Sequence, residues 1–374
     1  METSFTDKRP AQFRSLGTVL YGAGLRMQKA MAECVGGGGP DQVLILEHNP
    51  VLTLGRGASK ADIHVTEEFL ASQGAELHHT DRGGQVTYHG PGQIVAYPIC
   101  SLRSGRRSVG RFVHCLEQAM ICTAGDFGVA AERLEGYPGV WVRTARGPEK
   151  IGALGIHLKR WVSTHGIAFN LNPDLNHFRW ITPCGISSHG VCSLGSLLGV
   201  DCPTWGDAEA ALARNLAECL ALDCLATEPP RRSILATVWR QGAKGMEILM
   251  MLRSPAEGRW WSSVTGMVET DEGTEAAAKR EVFEETGLLC KPIPLGLEHT
   301  FCIDPVISGT LRGEPVFCTE TCFGAEVPAE APVRLDSGEH TEYRWCSPEE
   351  AKSLTPWEGA REALKRLIAK QTQK

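Results

Sequence analysis

The sequence predicts two α/β domains in one chain, and three observations carry that expectation. The 374 residues exceed what one ordinary core holds. Short apolar strand-like runs alternate with amphipathic helical stretches in both halves, the pattern of sheets packed on helices. Between the halves, Thr227-Glu228-Pro229-Pro230-Arg231-Arg232 carries two prolines and charge without apolar periodicity, and reads as a linker. The expected division is residues 1–226, a linker at 227–232, and residues 233–374.

In the first half, residues 19–34 have a helical pattern that includes Leu25, Met27 and Met31, and stop at the loop Gly36-Gly37-Gly38-Gly39-Pro40. Residues 43–48 read as a buried strand. A glycine-rich strand and turn at 82–93 runs into a strand over 94–99. A basic loop with Arg103, Arg106, Arg107 and Arg111 precedes an amphipathic helix at 110–127. Val140-Trp141-Val142, a turn at Gly147-Pro148 and residues 150–156 predict a β-hairpin, and 164–170 a further strand. Residues 207–224 form an Ala/Leu helix whose Leu212, Leu216 and Leu220 make a core stripe. Beyond the linker, strands are expected at 234–239, 247–252, 315–323 and 341–345, with helices at 274–286 and 356–369.

Composition excludes several classes. Hydrophobic content of 42% and charged content of 22% belong to a globular protein. Net charge is −6, with 20 Lys+Arg against 22 Asp+Glu through Glu228 and 18 against 22 beyond it. Neither half is basic, so no nucleic-acid partner is expected. The N-terminus lacks a signal-peptide pattern and no apolar run reaches ~18 residues, so neither export nor a membrane is expected. The 14 cysteines lack the paired spacing of a zinc site; Cys318 and Cys322 share a strand face, but two ligands do not make a tetrahedral site. Many thiols without an export signal point to a reducing cytoplasm.

Two constellations carry chemistry. In the first half, Cys184 sits between Pro183 and Gly185, residues that pin a turn and leave its backbone open. A buried, inert thiol is the ordinary state of a cysteine, and an exposed ammonium that of a lysine. A lysine beside the thiol, however, favours the thiolate and makes it a nucleophile, and Lys150 is the candidate.

The stretches Arg82-Gly83-Gly84-Gln85-Val86-Thr87-Tyr88-His89-Gly90-Pro91-Gly92-Gln93, Lys150-Ile151-Gly152-Ala153-Leu154-Gly155-Ile156, His165-Gly166-Ile167-Ala168-Phe169-Asn170 and Thr182-Pro183-Cys184-Gly185, in this order, resemble the octanoyl (lipoyl) transferases. The resemblance spans about residues 16–225. It implies a mixed-sheet domain of the biotin/lipoate-ligase type that takes an octanoyl group from acyl carrier protein as a thioester on Cys184. The group then passes to a lysine of lipoyl domains, those of 2-oxoacid dehydrogenases and the glycine cleavage H protein, without any cofactor. Lys150 would activate the thiolate and serve as base toward the incoming amine. Residues 82–89 match the family's substrate-binding wall, where Thr87, Tyr88 and His89 would meet the thioester carbonyl. Ala153, Leu154, Gly155, Gly166, Ile167 and Ala168 match further binding positions and suit a fatty chain. His157 departs from the pattern, standing where an arginine is expected, and His189 and Cys192 have no assigned role. The arginines of the 103–111 loop would make a docking patch for an acidic carrier. An ATP-dependent ligase is the alternative, or a silent binding module; no adenylate-binding loop is evident.

In the second half, Gly266, Glu272 and Arg280-Glu281-Val282-Phe283-Glu284-Glu285-Thr286-Gly287-Leu288 form a complete Nudix box. Glu281, Glu284 and Glu285 stand at i, i+3 and i+4, so one helix face presents three carboxylates, an arrangement suited to Mg²⁺ (or Mn²⁺). Glu272 and Arg280 are expected to tie loop to helix. The half resembles Nudix hydrolases, which implies an α/β/α sandwich over 233–374 and a nucleotide-like substrate. Ser263-Val264-Thr265-Gly266-Met267-Val268-Glu269 lacks the usual Pro-Gly-Gly. With Leu354-Thr355-Pro356-Trp357 it is similar to the dihydroneopterin triphosphate pyrophosphatases, which implies a nucleotide or pterin triphosphate, with Arg253 as phosphate contact and Glu339 as base or metal ligand.

Overall fold

A strand at Arg9–Thr18 begins the sheet of the first unit, where no element is predicted. Its inward side carries Gln12 and Arg14, which hid the alternation. Gln12 Oε1 accepts from the Arg14 guanidinium (3.0 Å) and from Gln42 Nε2 (2.8 Å), which joins the three buried side chains. The computed structural model describes residues 5, 7–103, 105–182, 189–243, 245–255, 259–303 and 315–372. The chain forms two compact units, Met1–Pro229 and Pro230–Lys374. Among the described residues no helix is long and apolar enough to cross a membrane.

In the first unit a mixed sheet runs in the order Leu222–Leu225, Arg9–Thr18, Asp41–Glu47, Gln93–Ile99, Val162–Asn170, Gly147–Lys159, Tyr137–Thr144, Ala131–Leu134. The first three strands are parallel and the rest antiparallel. Helices Val109–Asp126 and Trp205–Cys219 pack together against one face, burying Phe112, Leu116, Leu212 and Leu216. The second of these helices stops five residues before the predicted end: Ala221 takes a positive φ of 49° and the chain turns into the strand Leu222–Leu225. A small sheet, Glu76–His79, Val51–Leu54 and Val86–His89, carries part of the glycine-rich wall.

Arg106 does not belong to a docking patch. It is buried, its guanidinium donates to the carbonyls of Asp7, Leu220 and Ala221 (2.7–3.1 Å), and it lies 4.4 Å over the Phe5 ring. Backbone carbonyls cluster where the Leu222–Leu225 strand begins, and this arginine donates to them, to Ala221 O alongside the Arg9 N–H. Arg103 bonds the carbonyls of Arg160 and Gly36, which leaves Arg107, against Trp161, as the exposed cation of the group.

The second unit is built on the sheet Trp261–Ser262, Gly245–Arg253, Arg231–Gly242, Val316–Glu326, Lys291–Ile303; Val264–Met267 also pairs with the third strand and His340–Cys346 with the second. The third strand starts at Arg231 rather than after a linker, because Arg231 and Arg232 pair in parallel with Cys318 and Thr319. Helix Thr274–Thr286 covers one face, burying Ala277, Ala278 and Val282, and ends where Gly287 adopts the left-handed conformation (φ 69°). Glu358–Thr372 covers the other, packing Leu364 and Leu367 over Leu235, Leu295 and Cys322. The unit is a sheet between helices.

Candidate functional site

In the first unit the glycine-rich segment folds over the strand Gly147–Lys159. Gly83 N–H donates to Ile156 O at 2.9 Å. A Cβ on Gly155 would lie 2.8 Å from Gly83 O, closer than side chains approach, so Gly155 is required by this contact. Arg82 holds the segment in place: its guanidinium donates to Thr53 O (2.7 Å), Thr53 Oγ1 (2.8 Å) and Gly83 O (3.0 Å). Beneath lies a partly open cavity with about 500 Å³ of atom-free space. Of the sequence-predicted binding residues, Arg82, Gly84, Gln85, Val86, Thr87 and His89 line it on one side, and Ala153, Leu154, Gly155, Gly166, Ile167 and Ala168 on the other.

Gly83 and Tyr88 do not line it. The Tyr88 ring is buried against Phe178 and Trp180, and its hydroxyl meets His177 Nδ1 at 2.7 Å. Tyr21, Val95, Tyr97 and His165 line the cavity without having been expected. Tyr21 opens a helix and the other three lie on strands, so no local pattern marks them; only His165 stood within a motif. His165 takes a φ of 57°, costly for a residue with a Cβ, and its Nε2 donates to Asp81 (2.8 Å). His157, in the place of the expected arginine, bonds the other Asp81 oxygen (2.6 Å) and accepts from Arg56 (2.9 Å).

Beside the Arg82 guanidinium, burial favours the neutral forms of His89, His165 and Tyr21 in the lining. Burial pushes His89 down to about 3, and its Nδ1 bonds Gln93 Oε1 at 2.7 Å. His48, behind it, is pushed down to about 4 by burial, with Val19 O accepting from Nδ1 and the Tyr97 hydroxyl donating to Nε2. Burial raises Tyr21 to about 12. Gln85 Oε1 is buried with no hydrogen-bond partner among the described residues, an acceptor available in the wall.

Lys150 lies on the strand that carries Ala153–Gly155, outside the cavity lining. It is buried, and its Nζ stands 4.7 Å over the Trp141 ring in a cation–π contact. Cys184 lies outside the described residues. The chain reaches that stretch from Thr182, whose N–H donates to Asp62 O, and leaves it through His189, whose ring packs on Trp141 at 5.4 Å. Gly190–Val191 then pairs with Glu149 and Lys150.

In the second unit Arg280 organises the carboxylates. It grips Glu272 with two bonds (3.0 and 2.9 Å), caps Met267 O, and sends Nη1 to Glu281 (2.8 Å) and Glu284 (2.9 Å). A Cβ on Gly266 would fall 1.9 Å from Glu281 Cδ, so the loop glycine gives that carboxylate its seat. Glu285, one turn on from Glu281, is more deeply buried beside Ala278 and Val282 and accepts from His340 Nε2 at 2.9 Å. Arg253 links Glu339 (3.2 Å) to Thr265 Oγ1 (2.8 Å). Burial pushes both Glu281 and Glu285 above the ordinary carboxylate value, against the pull of Arg280 and His340. Carboxylates so placed fit a divalent cation: a guanidinium already bridges Glu281 and Glu284, and Glu285, Glu339 and His340 offer ligand atoms within 4.8 Å of one another.

Residues 21–217 match the lipoyl protein ligase A/B catalytic domain and residues 229–367 the NUDIX domain. The chain is 37% identical over 357 residues to an octanoyltransferase of Myxococcus xanthus, covering 95% of this chain and 98% of that protein. The chain belongs to the octanoyltransferase family. A further octanoyltransferase, of Solibacter usitatus, is 45% identical over 175 residues, 46% of this chain and 78% of its own. The Nudix unit is similar to the dihydroneopterin triphosphate pyrophosphohydrolase of E. coli (27% identity, 38% of this chain, 99% of that chain, TM-score 0.33). The Myxococcus relative spans both units, so the transferase unit and the Nudix unit occur together in more than this chain. The fold is a lipoate-ligase-like mixed sheet followed by a Nudix sandwich.

Proposed function

We propose that the first unit moves an octanoyl group from acyl carrier protein to the lysine of a lipoyl domain through a thioester on Cys184. The observation that supports this reading is the cavity, whose small and apolar wall at 153–155 and 166–168 faces a glycine-rich strip, with Lys150 on the adjoining strand. The Cys184 thiolate attacks the octanoyl carbonyl; the new carbon–sulfur bond forms as the carrier's thiolate leaves and takes the proton of the Lys150 ammonium, which leaves that amine neutral. The acceptor's amine then attacks the same carbonyl, loses a proton to Lys150 in its neutral form, and expels the Cys184 thiolate as the amide forms. Lipoyl domains of 2-oxoacid dehydrogenases and the glycine cleavage H protein are the acceptors this reading implies. Incubation with octanoyl-carrier protein in the absence of ATP is expected to add one octanoyl mass at Cys184. A Cys184→Ser chain transferring at the unmodified rate, or a strict need for ATP, would overturn the mechanism in favour of a ligase.

For the second unit the reading is hydrolysis of a diphosphate bond in a nucleotide or pterin triphosphate, with Mg²⁺ or Mn²⁺ held by Glu281, Glu284 and Glu285. When bound, the cation would neutralise the diphosphate and lower the pKa of the attacking water. Arg280 positions Glu281 and Glu284, and Arg253 is the candidate phosphate contact. A panel of triphosphates assayed on the full chain, with and without chelator, tests it; no turnover of any of them would count against the reading.

A further inference from the structure

On the face of the Nudix unit's sheet opposite the carboxylate helix, three side chains with metal-ligating atoms are buried together. His299 faces Glu320 in register across the antiparallel pair Lys291–Ile303 and Val316–Glu326. Cys322, two residues further along the same strand, points to the same side. All three are nearly inaccessible, at 4%, 7% and 1% exposure, beneath the helix Glu358–Thr372. Their ligand atoms lie within 4.8 Å of one another.

The imidazole needs an explanation. Neither ring nitrogen of His299 makes a hydrogen bond among the described residues; Nε2 comes within 3.2 Å of Glu320 Oε2 without the alignment of one. A buried polar group left unpaired costs about 1–3 kcal/mol. Gly359, at the start of the covering helix, keeps the space beside the ring clear: a Cβ there would lie 2.3 Å from Nε2 and 3.4 Å from Glu320 Oε2. We propose that His299, Glu320 and Cys322 form a second metal site, separate from the Nudix carboxylates, for a divalent ion of the zinc class.

One nitrogen, one sulfur and one oxygen make a borderline-soft set that Mg²⁺ does not favour and Zn²⁺ does. Ligand atoms around tetrahedral zinc stand roughly 3.2–3.8 Å apart, so the site closes on the ion with side-chain shifts on the order of 1 Å. Water completes the coordination. Cysteine spacing gives no hint of the site because its ligands come from two strands, and Cys318, the nearest cysteine on the same face, is engaged with Ser233 Oγ at 3.2 Å.

The test titrates zinc into the metal-stripped full chain under excess Mg²⁺, against a chelating indicator. One equivalent is expected to bind, to persist in Glu281→Gln, and to be lost in His299→Gln and Cys322→Ser. X-ray absorption of the zinc-loaded unmodified chain, which needs no variant to fold, is expected to show one sulfur among nitrogen and oxygen neighbours. No stoichiometric zinc under Mg²⁺, retention of the equivalent in Cys322→Ser, or a shell with no sulfur or several would each overturn the site.

Discussion

At the cavity of the first unit burial keeps the imidazoles neutral, with His89 in the lining and His48 behind it pushed down to about 3 and 4, and much of the wall is glycine backbone and apolar side chains. Along Thr274–Thr286 of the second unit three carboxylates crowd one helix, two of them pushed up by burial, and a guanidinium holds them in register. The first arrangement suits a long uncharged chain, recognised by shape and desolvation. The second is an acidic cluster that becomes favourable when a cation joins it. Glycine serves both, at Gly155 to let one backbone approach another and at Gly266 to seat a carboxylate. Burial therefore disfavours charge in both units: it leaves imidazoles neutral in one, and in the other it raises the demand of the carboxylates for a counter-ion.

Substitutions at the reacting groups probe the contrast most strongly. Cys184→Ser is expected to lower octanoyl transfer by about 10³-fold or more, as loss of a covalent nucleophile does, while leaving triphosphate hydrolysis intact; a parallel loss of both activities would deny that the units act by separate chemistry. The converse is Glu285→Gln, expected to cut hydrolysis by roughly 10²–10⁴-fold, with transfer retained and metal affinity weakened in calorimetric titration. A shape-defined wall makes a gentler prediction. Ala153→Leu adds volume inside the cavity, so transfer of octanoyl should fall about 10-fold or more relative to a shorter acyl chain, read as the ratio of kcat/KM values.

The smallest effect separates the units by pH. His89 in the cavity and His48 behind it have folded values below the ordinary ~6.5, so below that pH the unfolded chain binds protons that the folded one refuses. Their contribution is complete above about pH 6.5 and is lost as pH falls toward 4 and 3. Hydrogen exchange of the strand Gln93–Ile99 should accelerate over that window, and His48→Asn should flatten the dependence. In the Nudix unit the raised carboxylates predict that cation affinity begins to fall at a higher pH than an ordinary glutamate would give.

Much of the cavity wall was legible because its residues sit in contiguous motifs: six of the eight residues at 82–89 and all of 153–155 and 166–168 line it. Tyr88 was misread because a tyrosine between Thr87 and His89 alternates to the other side of the strand, where it joins Phe178 and Trp180. Helix Thr274–Thr286 was read to the residue, since threonine, an alanine run and Gly287 mark both ends. The first strand escaped because Gln12 and Arg14 occupy inward positions where apolar residues are sought. Arg106 looked like a surface cation for the reason that composition carries no burial.

By itself, the sequence determined what is local or periodic: the two-unit plan, the carboxylate spacing at 281, 284 and 285, the glycine-rich wall, and the motif order that marks the family. Tertiary structure alone decided which distant side chains meet. It brought Asp81 between His157 and His165, turned Glu285 inward onto His340, and set His299 against Glu320 beside Cys322. Hydrophobic periodicity encodes which face of an element is buried, whereas strand order and register, the product of the whole fold's packing, choose the neighbours on that face.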